Sequence, residues 1–428
     1  MSVTATRKII SGSRTDRAAP KYWRGVGQTC QPLSDEEVMK TVSRRACLKN
    51  VALTAAAGVL PAIFRPLPAF AAGFVFEQPT PLEGEAAAMA AIAQQYMTKY
   101  NAPGLSVAVA RRGQFVYQKG FGYADKAAGE RVTPSSLFRI ASLTKPVTSV
   151  AIFSLIEQGR LGLEDLIFGA QGLLKFDYGQ DYPDPVKKIT LRHLLTHTCG
   201  GWDNTYTMTV QDPMFSRPEM NHQELITWTV HNVPLQHAPG AHFAYSNFGY
   251  CILGRVIEKI TGRSYAEFVQ QTVLAKCGIL DMRLAGNTLA QRASGEVVYY
   301  GQAGSGTNPY NMNVTRMDSH GGWIGTPSDL VQFAMHVDGF TTTPNILGPS
   351  TLKTMTTASA ANAQYACGWF VNNIPNWWHG GSLPGTLTIL VRTASGLCWA
   401  AFTNTRAEGF NLDEMVWKMV RAVPAWRA

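Results

Sequence analysis

Strand-like runs gather at both ends of residues 85–428 and helical pattern fills the stretch between, and this order is what most limits the fold. From Gly104 the chain reads Leu-Ser-Val-Ala-Val-Ala, then Arg111-Arg112-Gly113, then Gln-Phe-Val-Tyr. Two alternating runs around a glycine-containing turn predict a β-hairpin. Before it, Glu85 to Tyr100 is alanine-rich and free of Gly and Pro, which predicts a helix. A second helix is expected from Ser142 to Gln158, ending at Gly159. Residues 186–285 are mostly helical in pattern, most clearly at Ile189–Leu195 and Tyr250–Thr261, and a Gly/Asn/Thr-rich loop covers about 301–316. Strands return at Tyr365–Val371, Leu387–Val391 and Cys398–Thr403, before a final helix from Leu412 to Val423. The expected fold class is α/β (α+β). One part is built from both ends (about 85–141 and 317–428), with a mostly helical part (about 142–316) inserted into it.

The formal charge of +9 suggests nucleic acid until its placement is read. Residues 1–71 hold eleven Lys/Arg against four Asp/Glu, and the remainder sets 27 basic against 25 acidic side chains. A near-neutral body has no electrostatic footprint for a phosphate backbone, so no nucleic-acid partner is expected. The basic segment reads as a leader. Arg44-Arg45 precede the uncharged stretch Val51–Phe64 and then Ala69-Phe70-Ala71, the order of a twin-arginine signal peptide. Residues 1–71 are therefore expected to be removed, with Met39 a natural start, leaving 72–428 as the catalytic domain. The precursor's partner would be the twin-arginine export machinery, and the destination the periplasm or the exterior. No apolar run is long enough for a membrane span, so none is expected after cleavage. Beyond the leader, Cys199, Cys251, Cys277, Cys367 and Cys398 are widely spaced, with no CxxC pair. They read as buried apolar residues, with a single bridge left open.

The chemistry starts from Ser142-Leu143-Thr144-Lys145, an S-x-x-K tetrad. Such tetrads are common, and Ser350 to Lys353 is another. Context separates them. Ser142 opens a helix after an apolar segment, so Lys145 falls under its hydroxyl and the helix N-terminus faces a developing anion. Ser350 follows Gly-Pro and reads as a helix cap. Serine needs a neighbouring base, and lysine serves only if burial or another cation lowers its pKa. Two further segments supply missing parts: Tyr245-Ser246-Asn247 before a helix, and His379-Gly380-Gly381-Ser382 ahead of a strand.

In this combination the chain resembles the serine β-lactamase/penicillin-binding-protein superfamily, in the class C-like branch that also holds esterases and D-amino-acid peptidases. Pro103 to Val109, Phe121 to Asp125, Leu194 to Thr198, Gly321 to Ile324 and Ser328 to Leu330 extend the likeness from about residue 85 to the C-terminus. The resemblance implies an antiparallel sheet flanked by helices. It makes Ser142 the nucleophile, with Lys145 and Tyr245 moving its proton. It makes Asn247 the residue that orients Lys145 and the substrate amide, and the backbone N–H groups of Ser142 and Ser382 the oxyanion hole. Gly380 and Gly381 then let the substrate backbone approach a strand edge. His379 stands where β-lactamases carry the Lys of Lys-Thr-Gly, and a mostly neutral imidazole holds a carboxylate less well. Trp377 and Trp378 read either as an acyl pocket or as core.

The leading expectation is thus an exported serine hydrolase acting through an acyl-enzyme on carboxylic esters or small amides, without a cofactor or metal. A D-Ala-D-Ala carboxypeptidase or weak β-lactamase is the alternative within the same chemistry. Non-catalytic penicillin sensors and self-assembling proteins are the alternatives of other classes. His193 and His197 have the i,i+4 spacing of a zinc site but no Glu in the H-E-x-x-H manner, so they read as structural. There is no G-x-S-x-G elbow and no dinucleotide fingerprint.

Overall fold

The computed structural model describes residues 80–204, 212–301 and 308–426. The expected leader, with its arginine pair, lies outside them. The predicted hairpin forms as β1 (Gly104–Arg111) and β2 (Gln114–Asp125), turned by Arg112 and Gly113, both at positive φ. With β3 (Glu130–Arg131), β7 (Phe370–Val371), β8 (Trp377–Leu383), β9 (Thr386–Arg392) and β10 (Leu397–Thr403) it makes one antiparallel sheet ordered β3-β2-β1-β10-β9-β8-β7. The two ends of the fold meet in its middle, where β1 pairs with β10 from Leu105–Thr403 to Arg111–Leu397.

Alternation along β10 builds two cores. Leu397, Trp399 and Ala401 point to one face, under α1 (Glu83–Lys99) and α10 (Leu412–Arg421). Cys398, Ala400 and Phe402 point to the other, into the larger core shared with the helical part. That core holds α2 (Thr144–Glu157), α6 (Asn247–Thr261) and α8 (Pro327–Met335), whose apolar positions are buried. A small sheet, β4-β6-β5, joins Phe138–Arg139, Trp323–Gly325 and Arg283–Leu284 beside the turn that carries Ser142. Among the described residues no helix is long and apolar enough to cross a membrane, and the five cysteines are free and buried, so the bridge left open by sequence is absent.

Several expectations need correcting. The run Tyr365–Val371 is not one strand, because the chain turns at Gly368 (φ 82°) and only Phe370–Val371 pair with β8. Ser350 does not cap its helix, which starts at Pro349 after Gly348. The short helix α3 (Leu191–Leu195) ends before His197, which takes φ 57°, so His193 and His197 do not share a helix face. Trp377 and Trp378 are both buried in the cores rather than lining an acyl pocket, Trp377 under the Arg392 guanidinium and Trp378 against Phe370.

Candidate active site

Ser142 sits in a single 3-10 turn, Ala141–Leu143, that runs directly into α2. The turn is strained at Ala141, where φ is 50° for a residue with a Cβ. The sheet holds that conformation. Thr386 Oγ1 donates to the Arg139 carbonyl at 3.0 Å and Thr388 Oγ1 to the Ile140 carbonyl at 2.9 Å. Strand β8 presses on the same turn through Gly381, where a Cβ would lie 2.2 Å from Thr388 Oγ1 and 2.6 Å from the Ile140 carbonyl oxygen. Only a residue without a side chain fits between strand and turn. Ser382, next along β8, is half-buried.

One turn on, Lys145 is fully buried, and its Nζ lies 3.1 Å from Ser142 Oγ. Two fixed acceptors flank it: Asn247 Oδ1 at 2.7 Å and the His320 carbonyl at 2.9 Å. A neutral amine that donates to both has its lone pair left for the serine proton. Burial holds the Lys145 pKa well below the usual lysine range, with the charge of Asp212 pulling the other way. Tyr245 shares the space. Its ring centroid is 4.8 Å from Lys145 Nζ, and the neighbouring Ser142 side chain acts to lower the pKa of its phenol. Burial raises the phenol above its ordinary value, so at neutral pH the tyrosine is uncharged, while the same burial shifts Lys145 toward its neutral form.

Tyr245, Ser246 and Asn247 are placed by the segment around His197. Ser246 caps α6 through Gly249 N–H, so this helix begins at Asn247, earlier than its apolar pattern suggests. The Ala244 N–H donates to the His197 carbonyl at 2.8 Å, and the Ser246 N–H to His197 Nδ1 at 3.1 Å. The His197 and Tyr245 rings lie 4.2 Å apart. Asn247 is engaged at both ends, Oδ1 toward Lys145 and Nδ2 donating to Asp212 Oδ2 at 2.6 Å. His379 is also engaged at both ring nitrogens, Nδ1 with the Gly380 carbonyl at 2.7 Å and Nε2 with the Tyr365 hydroxyl at 3.2 Å. It is fully buried, and burial and the nearby Lys145 lower its pKa to about 3. His379 is thus an interior residue of β8, held at both ring nitrogens.

The sequence model of the beta-lactamase family matches residues 89–421. The chain belongs to the beta-lactamase family. Protein flp of Staphylococcus aureus (strain NCTC 8325 / PS 47) is 31% identical over 184 residues, covering 43% of this chain and 35% of that protein. Penicillin-binding protein 4* of Bacillus subtilis (strain 168) is 27% identical over 314 residues, covering 67% and 64%. The chain therefore spans between about a third and two thirds of the length of these curated relatives. Among solved structures, the D-amino acid amidase from Ochrobactrum anthropi SV3 complexed with L-phenylalanine amide superposes with a TM-score of 0.65 at 22% identity, covering 81% of this chain and all of that one. At that identity the likeness concerns the fold.

Against this family background, the structure brings Ser142, Lys145, Tyr245 and Asn247 together and sets Gly381 against the turn that carries Ser142. Sequence reasoning missed Asp212, Tyr365 and the His320 carbonyl. It treated His197 as scaffold without seeing what it holds. Asp212 lies in a loop with no periodicity, and a backbone carbonyl leaves no mark in a sequence. Among the described residues no group of three or more metal-ligating side chains forms.

Proposed function

We propose that the protein is an exported serine hydrolase that cleaves carboxylic esters or small amides through an acyl-enzyme on Ser142. The observation that carries this reading is Lys145, fully buried, its pKa held well below the usual lysine range by desolvation, with Nζ 3.1 Å from Ser142 Oγ. Ser142 Oγ attacks the carbonyl carbon while its proton passes to Lys145 Nζ, and the carbonyl electron pair moves onto oxygen. The backbone N–H groups of Ser142 and Ser382 receive that oxyanion. When it collapses, the bond to the leaving group breaks, and the proton returns through Lys145 or Tyr245 so that the alcohol or amine leaves neutral. Water then repeats the sequence on the acyl-enzyme and releases the carboxylic acid.

Substrate class follows from His379. A neutral imidazole with both nitrogens committed inside the protein offers no charge to a substrate carboxylate, which favours esters and neutral amides over a D-Ala-D-Ala terminus. The fold shared with a D-amino acid amidase keeps small amides in view. The twin-arginine pattern of residues 1–71 supports export to the periplasm or beyond. Release of p-nitrophenol from p-nitrophenyl esters, compared with Ser142→Ala, tests the activity, and equal turnover by the variant rejects it. Intact mass after incubation with a penicillin tests the second reading, a cell-wall peptidase, which the likeness to a penicillin-binding protein keeps alive. A penicilloyl adduct on the wild type alone would favour that reading.

A further inference from the structure

We propose that Asp212 is a positioning residue of the Ser142–Lys145 pair: through the Asn247 amide its carboxylate fixes the acceptor that Lys145 faces, and it supplies the counter-charge when the lysine takes the serine proton. The proposal rests on the reading of Lys145 as the base. A carboxamide has one accepting and one donating end. Asp212 Oδ2 takes the donating end at 2.6 Å, which leaves Oδ1 for Lys145 Nζ at 2.7 Å. Turning the amide over would set oxygen against carboxylate and NH2 against amine, so only one orientation is favourable. Asp212 is itself held by the Met214 N–H, which donates to Oδ1 at 2.9 Å. A serine or asparagine would cap the short helix α4 (Pro213–Ser216) equally well, so capping alone does not call for a buried carboxylate.

Charge makes the same case. The imidazoles of His197, His320 and His379 lie close enough to feel Lys145, and burial keeps all three neutral. Asp212 is the carboxylate whose field reaches Lys145, and it opposes the desolvation of the ammonium. Asp203 and Arg316 are its other charged neighbours. Burial raises the Asp212 pKa to about 6, so it is ionised at neutral pH. The arrangement follows the logic of a catalytic triad, in which a buried acid orients the base and stabilises the cation formed on it, with an amide interposed.

The test is the pH dependence of kcat/KM for p-nitrophenyl acetate in wild type, Asp212→Asn, Asp212→Ser and Asp212→Glu, with a thermal melt of each. Both neutral variants should lose about 10-fold or more at the plateau, a share of the ~10²–10⁴ that a general base contributes. Their acid limb should also move to lower pH, because the charge that keeps Lys145 protonated is gone. Asp212→Glu should leave the limb where the wild type has it. A neutral variant that folds and keeps the wild-type limb overturns the proposal, whatever its plateau. A glutamate variant displaced like the neutral ones does the same. Ser142→Ala runs beside them: turnover by that variant would reject the serine-hydrolase reading itself, which is a separate outcome.

Discussion

The Tyr365 hydroxyl stands between two buried imidazoles, 3.2 Å from His379 Nε2 and 3.0 Å from His197 Nε2, and the order of protons along that line is fixed from its ends. His197 Nδ1 accepts from the Ser246 N–H, so its Nε2 carries hydrogen and donates to Tyr365. His379 Nδ1 donates to the Gly380 carbonyl, so its Nε2 accepts from Tyr365. The third sequence motif is thereby tied to the second through a tyrosine that belongs to neither. Tyr365→Phe would leave both ring nitrogens without this partner in a dry interior, at a cost of about 1–3 kcal/mol. A thermal melt should show the loss, and an unchanged midpoint would mean that the hydroxyl holds nothing in place.

Lys145 is asked to accept a proton, which is a stricter demand than being positive. Lys145→Arg keeps the charge but cannot be neutral in a protein. Ester turnover should fall by ~10²–10⁴ while the protein stays folded. An arginine variant with turnover near that of the wild type would move the role of base to Tyr245.

Gly381 lets β8 approach the turn that carries Ser142 so closely that no Cβ fits between them. An added methyl would meet Thr388 Oγ1 and the Ile140 carbonyl well inside contact distance. Gly381→Ala should cost about 1–3 kcal/mol by overpacking. It should also reduce kcat more than KM, since it displaces Ser142 rather than the binding surface. Retention of full kcat would show that the turn can shift without penalty.

A test of stability alone is available at Asp413, on the opposite face of the sheet. Burial raises its pKa to about 7, and the indole N–H groups of Trp399 and Trp417 pull it back only in part. The folded state therefore holds this proton more tightly than the unfolded chain. Stability from this group is full below about pH 4, is lost as pH rises through about 7, and amounts to about 4 kcal/mol. Asp413→Asn has no such proton, so its thermal midpoint relative to wild type should rise between pH 4 and pH 8. A difference that stays flat across that range would contradict the assignment.

What was legible in the sequence was local. Arg112-Gly113 announces the hairpin because a two-residue turn needs positive φ, and Ser142 with Lys145 announces itself because three residues along a helix share a face. What stayed hidden depends on partners far away in sequence. Nothing around His379 tells that its ring lies against Tyr365, because one residue of register decides which face of a strand it occupies. Tyr365 reads as part of a strand until Gly368 turns the chain. Asp212 gives no periodic signal at all, yet it lies in direct contact with Asn247.

The pairing of β1 with β10 also sets an order of events. Residue 105 waits for residue 403, and the turn that carries Ser142 waits for Thr386 and Thr388 to fasten it. A chain stopped before β10 would present two unpaired strand edges, on β1 and on β9, with apolar side chains on both faces, the surface on which chains aggregate. A chain that ends before its last strands therefore lacks either the partner of its first strand or the hydrogen bonds that fasten the Ser142 turn.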